Sequence, residues 1–162
     1  MNCTACGGTL RPAGTTHRYV ESGLPNVMLR GVEVRKCSRC GHIEVAIPNI
    51  AGLHASLARA IVARPSALTR DEFRFLRQYL GHSSRDFARM LGVTAETMSR
   101  WQSGKHEIPR TADLLVRLLV TRTQPRMDYT DELLTKMKPR PAKPPKLSLR
   151  LKGNSWEPVK AA

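Results

Sequence analysis

Aromatic residues, acidic residues and long apolar runs are all scarce in this 162-residue chain. Aromatics make up 5% of it, so broad stacking platforms for single-stranded nucleic acid are not expected. No apolar run approaches the roughly 20 residues that a membrane-spanning helix needs. The N-terminal stretch also lacks the apolar segment of a secretory leader. We therefore expect a soluble, cytoplasmic protein with no membrane partner.

The shortage of acidic residues leaves a strong positive charge. The chain has 27 lysines and arginines against 13 acidic residues, with a net charge of +14 and an isoelectric point of about 10.5. This balance favours a polyanionic partner, most simply nucleic acid. No Ser/His/Asp set and no paired carboxylates suggest a catalytic centre, and the five histidines are scattered. We therefore expect a binding protein rather than an enzyme.

Cysteine is restricted to two Cys-x-x-Cys pairs, Cys3 with Cys6 and Cys37 with Cys40, which are separated by thirty residues. Two such pairs are typical of a closed four-cysteine site for one structural Zn²⁺. Two disulfides or free thiols are the alternatives, and a reducing cytoplasm disfavours disulfides. His17 and His42 lie nearby, but four thiolates already complete a tetrahedral site.

The zinc module is expected to span residues 1–48 and to be a ribbon-like β structure. Turn-forming residues divide it into short strand candidates. These are residues 16–21, 27–30, 32–36 and 42–47. A connecting helix and linker follow over residues 49–68, with apolar residues at helical spacing from Ile50 to Val62.

The C-terminal residues 138–162 form a Pro/Lys-rich basic tail that we expect to be mostly disordered, because this composition cannot bury a core. Residues 136–162 hold eight lysines and arginines and one acidic residue. Within the tail, residues 146–152 alternate leucine with polar residues, which is the period of a strand. Residues 146–152 can either pair with the edge of a sheet or remain unstructured, and the sequence leaves both alternatives open.

A second domain is expected over residues 69–137. Thr69 and Glu72 have the spacing of a capping box, which starts a helix. Ser83 or Ser84 can cap the next helix, Gly92 occupies a turn, and Thr94 can cap the helix that follows. This spacing is typical of a helix-turn-helix, although an ordinary helical hairpin shares it. With further helices near residues 110–122 and 130–137, the pattern predicts a five-helix, all-α domain.

Residues 69–122, including Trp101-Gln102-Ser103-Gly104-Lys105, resemble the Xre/Cro family of phage-repressor-type domains. Residues 1 to about 120, about three quarters of the chain, resemble the MqsA family of antitoxins. The residues that support this second resemblance are Cys3-Thr4-Ala5-Cys6-Gly7-Gly8, Tyr19, Gly31-Val32, Cys37-Ser38-Arg39-Cys40-Gly41, Ser99-Arg100-Trp101 and Gly104. That family joins a YgiT-type zinc module to a helix-turn-helix domain, and the basic tail departs from its pattern.

The resemblance implies an α+β protein of two small domains that represses its own operon and neutralises a ribonuclease toxin through the zinc module. It implies a bacterial, nucleoid-associated homodimer on a palindromic operator in double-stranded DNA. The alternative is a stand-alone regulator without a toxin partner. We take the last helices, over residues 112–119 and 133–137, as the expected dimer surface.

The second helix of the motif is expected to enter the major groove. Arg100 can bind guanine through two hydrogen bonds, while Glu96 can accept from cytosine or simply pair with Arg100 on the helix surface. Met98 and Trp101 are expected in the core. The candidate DNA-contacting residues are Ser84, Arg85, Thr94, Ala95, Glu96, Thr97, Arg100 and Lys105. Of these, Ala95 and Thr97 can touch a thymine methyl group, and Ser84, Arg85 and Lys105 can bind phosphate.

Overall fold

The computed structural model describes residues 1–124, 143 and 145–159, and the fold is α+β. In these residues five strands form one sheet. Along the sequence, five α-helices come after the third strand and before the fourth. The strands are β1 (Leu10–Arg18), β2 (Val27–Cys37), β3 (Ile43–Ala46), β4 (Leu147–Lys152) and β5 (Ser155–Pro158). The helices are α1 (Ile50–Val62), α2 (Arg70–Tyr79), α3 (Ser84–Met90), α4 (Ala95–Ser103) and α5 (Arg110–Arg122).

β2 is the central strand of the sheet. β1 pairs with it antiparallel along almost its whole length. On its other edge, β3 pairs antiparallel with the C-terminal half and β4 pairs parallel with the N-terminal half. β5 then extends the sheet as an antiparallel neighbour of β4. The first and last parts of the chain therefore share one sheet.

Two predicted strands are one continuous strand in the structure. β2 passes through Gly31, whose φ of 77° lies in the left-handed region that favours glycine. The register with β1 is irregular here, since Arg30 pairs with Thr16 and Val34 with Gly14. Leu29 and Val32, three residues apart, are both buried. The first strand also differs from the prediction. It covers Leu10–Arg18 rather than residues 16–21, and Val20–Ser22 form a short 3-10 helix.

The prediction of a mostly disordered tail over residues 138–162 is corrected by β4 and β5, which hold residues 147–158 in the sheet. Leu149 and Trp156 are buried there, at 2% and 6% exposure. The Trp156 indole donates to the carbonyl of Pro48 at 3.1 Å. The alternating pattern that begins at Leu147 therefore marks a strand whose partner, β2, lies far away in the sequence.

The contacts divide the chain into two compact units. Unit 1 comprises Met1–Val20, Pro25–Leu53 and Lys146–Ala162, and unit 2 comprises Glu21–Leu24 and His54–Pro145. The division falls inside α1, whereas the sequence places boundaries after residues 48 and 68. The larger segment of unit 2, His54–Pro145, thus interrupts the sequence of unit 1 between Leu53 and Lys146.

Unit 2 is built on α2, with α4 and α5 in contact with it. The capping box at its start is present, since the Thr69 hydroxyl accepts from Glu72 N–H and the Glu72 carboxylate accepts from Thr69 N–H. Phe73 of α2 is fully buried between ring neighbours in α3 and α4. The helix predicted over residues 130–137 lies outside the described residues. No helix among those described has both the length and the apolar character needed to cross a membrane.

Candidate metal centre and nucleic-acid interface

Two tight turns carry the four cysteines, and we call residues 3–8 and 37–42 the first and second knuckles. In the first knuckle, Cys3 N–H donates to the carbonyl of Gly8 at 2.7 Å and Gly7 N–H donates to that of Cys3 at 2.9 Å. The second knuckle repeats both bonds with the same spacing, at 2.8 and 3.1 Å. Gly7 and Gly41 occupy equivalent positions with φ of 69° and 75°, where glycine is favoured.

The knuckles bring the four sulfurs together, as the sequence predicts. The Sγ atoms lie within 4.8 Å of one another, with Cys3 3.8 Å from Cys40 and Cys6 3.6 Å from Cys37. A tetrahedral ion with metal–sulfur bonds of about 2.3 Å requires sulfurs about 3.8 Å apart. The cluster therefore has a geometry compatible with one structural metal ion. No histidine belongs to this group, which is the only one of its kind in the described residues.

The two knuckles pack closely around Gly8, and a larger residue there would be tightly crowded. A Cβ atom on Gly8 would lie 3.1 Å from Cys37 Sγ and 3.2 Å from Cys6 Sγ. The second knuckle is also bonded to the residue that follows the first, since the amide and hydroxyl of Ser38 both donate to the carbonyl of Thr9, at 3.1 and 3.2 Å. The sulfur arrangement is therefore fixed by the protein backbone.

Backbone amides directed at sulfur favour the ionised thiol at one ligand. The pKa of Cys37 is lowered to about 6 by the amide N–H of Cys40 and then by that of Arg39, which lies 3.4 Å from the sulfur. At Cys6 the amide of Gly8 lowers the pKa, but three neighbouring thiols and burial raise it to about 12. A divalent cation would displace the remaining thiol protons and bind all four as thiolates.

β3 is attached to the first knuckle by a carboxylate. Glu44 Oε1 accepts from the amide of Thr4 at 2.8 Å and from its hydroxyl at 2.9 Å. These two bonds favour the ionised form and lower the pKa of Glu44. The sequence analysis did not identify this residue, because its partner lies forty positions away.

The α3–turn–α4 segment has a capping side chain at the start of each helix. The Ser83 hydroxyl accepts from Asp86 N–H and the Thr94 hydroxyl from Thr97 N–H, both at 3.1 Å. Gly92 occupies the turn with φ of 67°. These local signals match those read from the sequence, with Ser83 rather than Ser84 as the first cap.

The inner face of this segment is apolar and aromatic. Met98 is fully buried and Trp101 is 6% exposed, in agreement with their predicted core positions. The rings of Phe73 and Trp101 pack edge to face with centroids 6.2 Å apart, and those of Phe73 and Phe87 lie 5.9 Å apart. Packing therefore determines which face of α4 points outward.

The eight predicted DNA-contacting residues all lie at or near the surface of unit 2. Ser84 and Thr97 are half-buried, and the other six are exposed. Arg100 and Glu96 form an ion pair across one turn of α4, with side chains 48% and 73% exposed. Such a pair stabilises a helix by only about 0.3–0.5 kcal/mol, so the guanidinium can exchange it for another acceptor.

Three residues outside the predicted set of DNA contacts stabilise this surface: Gln102, Arg74 and Arg70. Gln102 Nε2 donates to the Ser84 hydroxyl at 2.9 Å and so joins the end of α4 to the start of α3. Arg74 and Arg70 donate to the carbonyls of Gln102 and Ser103, at 2.7 and 3.0 Å. These cations complement the negative end of the α4 dipole. Arg70 and Arg74 are four residues apart, and this spacing in the sequence indicates that they share one face of α2.

Ser99 is a further exposed residue of α4 that is not among the predicted DNA contacts. It lies one helical turn beyond Ala95 and Glu96, and this spacing places it on the same outward face. Its hydroxyl is both a donor and an acceptor.

Comparison with protein-family models, curated proteins and solved structures finds no significant match to this chain.

Proposed function

We propose that this chain is a sequence-specific DNA-binding transcriptional repressor of the antitoxin type. It binds a palindromic operator as a homodimer, represses its own operon and carries one structural Zn²⁺. A toxin protein is its further partner through the zinc module. The proposal assigns no enzymatic activity to the chain and places it in the bacterial cytoplasm.

One observation carries the DNA-binding part of the proposal. α4 is capped at Thr94, packed inward through Met98 and Trp101, and exposed at Ala95, Glu96 and Arg100. A reading helix needs this combination, because base contacts require rigid placement of a few exposed side chains near its N-terminus. Arg85 and Lys105, exposed on either side, are suited to phosphate contacts.

Zinc is the metal that best suits the cluster. All four donors are cysteine sulfurs, which favour a soft or borderline ion in tetrahedral geometry. Four protein ligands leave no open position for water or substrate. The metal then has a structural role, since it ties the N-terminal turn to the loop between β2 and β3.

A homodimer is proposed because one reading helix contacts too few base pairs for an operator. α5 offers an apolar surface for it, with Leu115 and Leu118 at 39% and 42% exposure. Ala112 is buried, so it cannot contribute to that surface. The other expected dimer segment, residues 133–137, lies outside the described residues.

Charge favours a second candidate, a stand-alone regulator without a toxin. The described residues of unit 1 hold nine lysines and arginines against three acidic residues. A ribonuclease needs a cationic surface for its RNA, and two cationic surfaces repel each other. The positive charge of unit 1 is thus poorly matched to a cationic ribonuclease, which favours the stand-alone regulator.

The repressor proposal is tested by selecting bound duplexes from a random DNA library with the full chain. We expect a palindrome with half-sites about one helical turn apart. Arg100→Ala should lose about 1–3 kcal/mol of base discrimination at one position of each half-site. Arg89→Ala is the matched control, because Arg89 forms a similar exposed ion pair on α3. No enriched sequence with the wild-type chain would contradict the proposal.

The toxin part is tested separately, by examining the neighbouring genes and by purifying the chain at low salt with its native operon expressed. A small co-purifying protein that inhibits growth when expressed alone supports the antitoxin. Operator binding with no such partner supports the stand-alone regulator.

A further inference from the structure

The register of the sheet in unit 1 places two arginines directly opposite each other. Arg30 of β2 is paired with Arg150 of β4 in the parallel ladder. Directly paired residues on neighbouring strands share one face of a sheet. Thr16 of β1 and Glu157 of β5 complete the row on either side.

Two more cations flank this row, and we call Arg18, Arg30, Arg150 and Lys152 the sheet patch. Arg18 is paired with Met28, two residues before Arg30, and Lys152 lies two residues after Arg150. All four are exposed. Leu29, which precedes Arg30, and Leu149, which precedes Arg150, are buried. Successive residues of a strand point to opposite faces, so the two arginines face away from the core.

The positive charge of the sheet patch is poorly compensated within the chain. Like charges in directly paired positions destabilise a sheet. The side chains of Arg30 and Arg150 form no hydrogen bond or ion pair with any of the described residues. Glu157 is the one acid in the row, and it lies 3.6 Å from the ammonium of Lys152. A bound anion would relieve this repulsion.

We propose that the sheet patch binds the phosphate backbone of double-stranded DNA, as a second contact surface in addition to α4. Guanidinium groups are suited to phosphate because they donate two parallel hydrogen bonds. The patch contains no aromatic residue, so it offers no stacking platform for single strands. The choice of DNA over duplex RNA rests on the proposed function. The surface adds affinity and no sequence preference, because phosphates carry none.

The test measures the affinity of the full, zinc-loaded chain for a mixed-sequence DNA duplex between 50 and 200 mM salt. Each lost phosphate contact lowers the slope of log K against log salt by about 0.9. The double variant Arg30→Gln/Arg150→Gln should therefore have a slope smaller by about 1.8. The fall in affinity over this fourfold salt range should then be smaller by about twelvefold. Glu157→Gln should instead tighten binding.

Matched variants separate position from net charge. Arg11→Gln removes one exposed charge from β1 at the other end of the sheet, where Arg11 is paired with Lys36. It should leave the slope within about 0.3 of wild type, compared with about 0.9 for Arg30→Gln. Equal effects of these two single variants would indicate a net-charge effect and overturn the proposal. Trp156 fluorescence verifies that each variant keeps its sheet.

Two further results distinguish this proposal from the proposed function. In the first, the Arg30→Gln/Arg150→Gln variant keeps the wild-type slope, while Arg85→Gln/Lys105→Gln has a smaller slope. This result would overturn the sheet patch and support DNA binding by the helix-turn-helix. The reverse pattern would support the patch and contradict the helix-turn-helix. Tighter binding of duplex or single-stranded RNA than of DNA would overturn the choice of ligand.

Discussion

Arg117 and Asp113 form an ion pair within α5, with Nε 2.5 Å from Oδ1 and side-chain exposures of 0% and 3%. The second carboxylate oxygen accepts from Leu68 N–H at 2.7 Å. The Nη1 and Nη2 atoms of the guanidinium donate to three backbone carbonyls that precede α2. These carbonyls belong to Val62, Arg64 and Ser66. One buried arginine thus ties the segment between α1 and α2 to α5.

Arg117→Met should lower the free energy of unfolding of unit 2 by about 3–5 kcal/mol, because it leaves a buried carboxylate without its cation and three carbonyls without donors. The measurement is a urea unfolding curve, monitored through Trp101 fluorescence in a Trp156→Phe background. Arg122→Gln, an exposed change on the same helix, should stay within about 0.5 kcal/mol of the parent. Equal stability of the two variants would contradict the assigned role of Arg117.

Cys37→Ser should release the bound zinc and unfold unit 1, because the cluster then has only three thiolates. DNA binding by unit 2 should remain. The two tryptophans report on different units, since Trp156 belongs to unit 1 and Trp101 to unit 2. We expect a red shift of Trp156 emission alone, and the same shift on adding a chelator to the wild type.

A loss of all DNA binding in Cys37→Ser would show that the two units do not fold separately. Ser38→Ala, which removes one hydroxyl next to the same cysteine, serves as the control and should retain zinc.

Gly8→Ala should weaken zinc binding and lower the stability of unit 1 by about 1–3 kcal/mol, which is typical of overpacking. The added methyl group would lie 3.0 Å from Arg39 Cβ and 3.1 Å from Cys37 Sγ, so the second knuckle must shift by a few tenths of an ångström. Competition with a chromogenic chelator measures the affinity. Ala5→Ser, at an exposed position of the same knuckle, should match the wild type.

Lowering the pH should weaken the attachment of β3 to the first knuckle. The folded pKa of Glu44 is lowered by the Thr4 amide and hydroxyl, so its stabilising effect is present above the unfolded pKa of about 4.3. It is lost as the pH falls through the folded value. Carboxyl chemical shifts in a pH titration measure that value, and Thr4→Val should raise it. An unchanged Glu44 pKa in Thr4→Val, with Thr15→Val as control, would show that the hydroxyl contributes nothing.

Much of the candidate site could be predicted from the sequence because its signals are local. The capping box at Thr69 and the cap at Thr94 involve partners three residues away, and both are present. The short spacing within each cysteine pair indicated a shared metal site, and the sulfurs do meet. Helical spacing alone also placed Met98 and Trp101 in the core.

The sequence by itself thus determined the helix starts, the cysteine cluster and the outward face of α4, since each depends on residues within a few positions. Only the tertiary structure decided that β4 joins β2, that Arg117 is buried, and that Arg30 faces Arg150. The physical reason is that alternating apolar and polar residues indicate a strand but do not specify which other strand it pairs with. Likewise, the residues next to Arg117 in the sequence do not indicate the distant carbonyls that permit its burial.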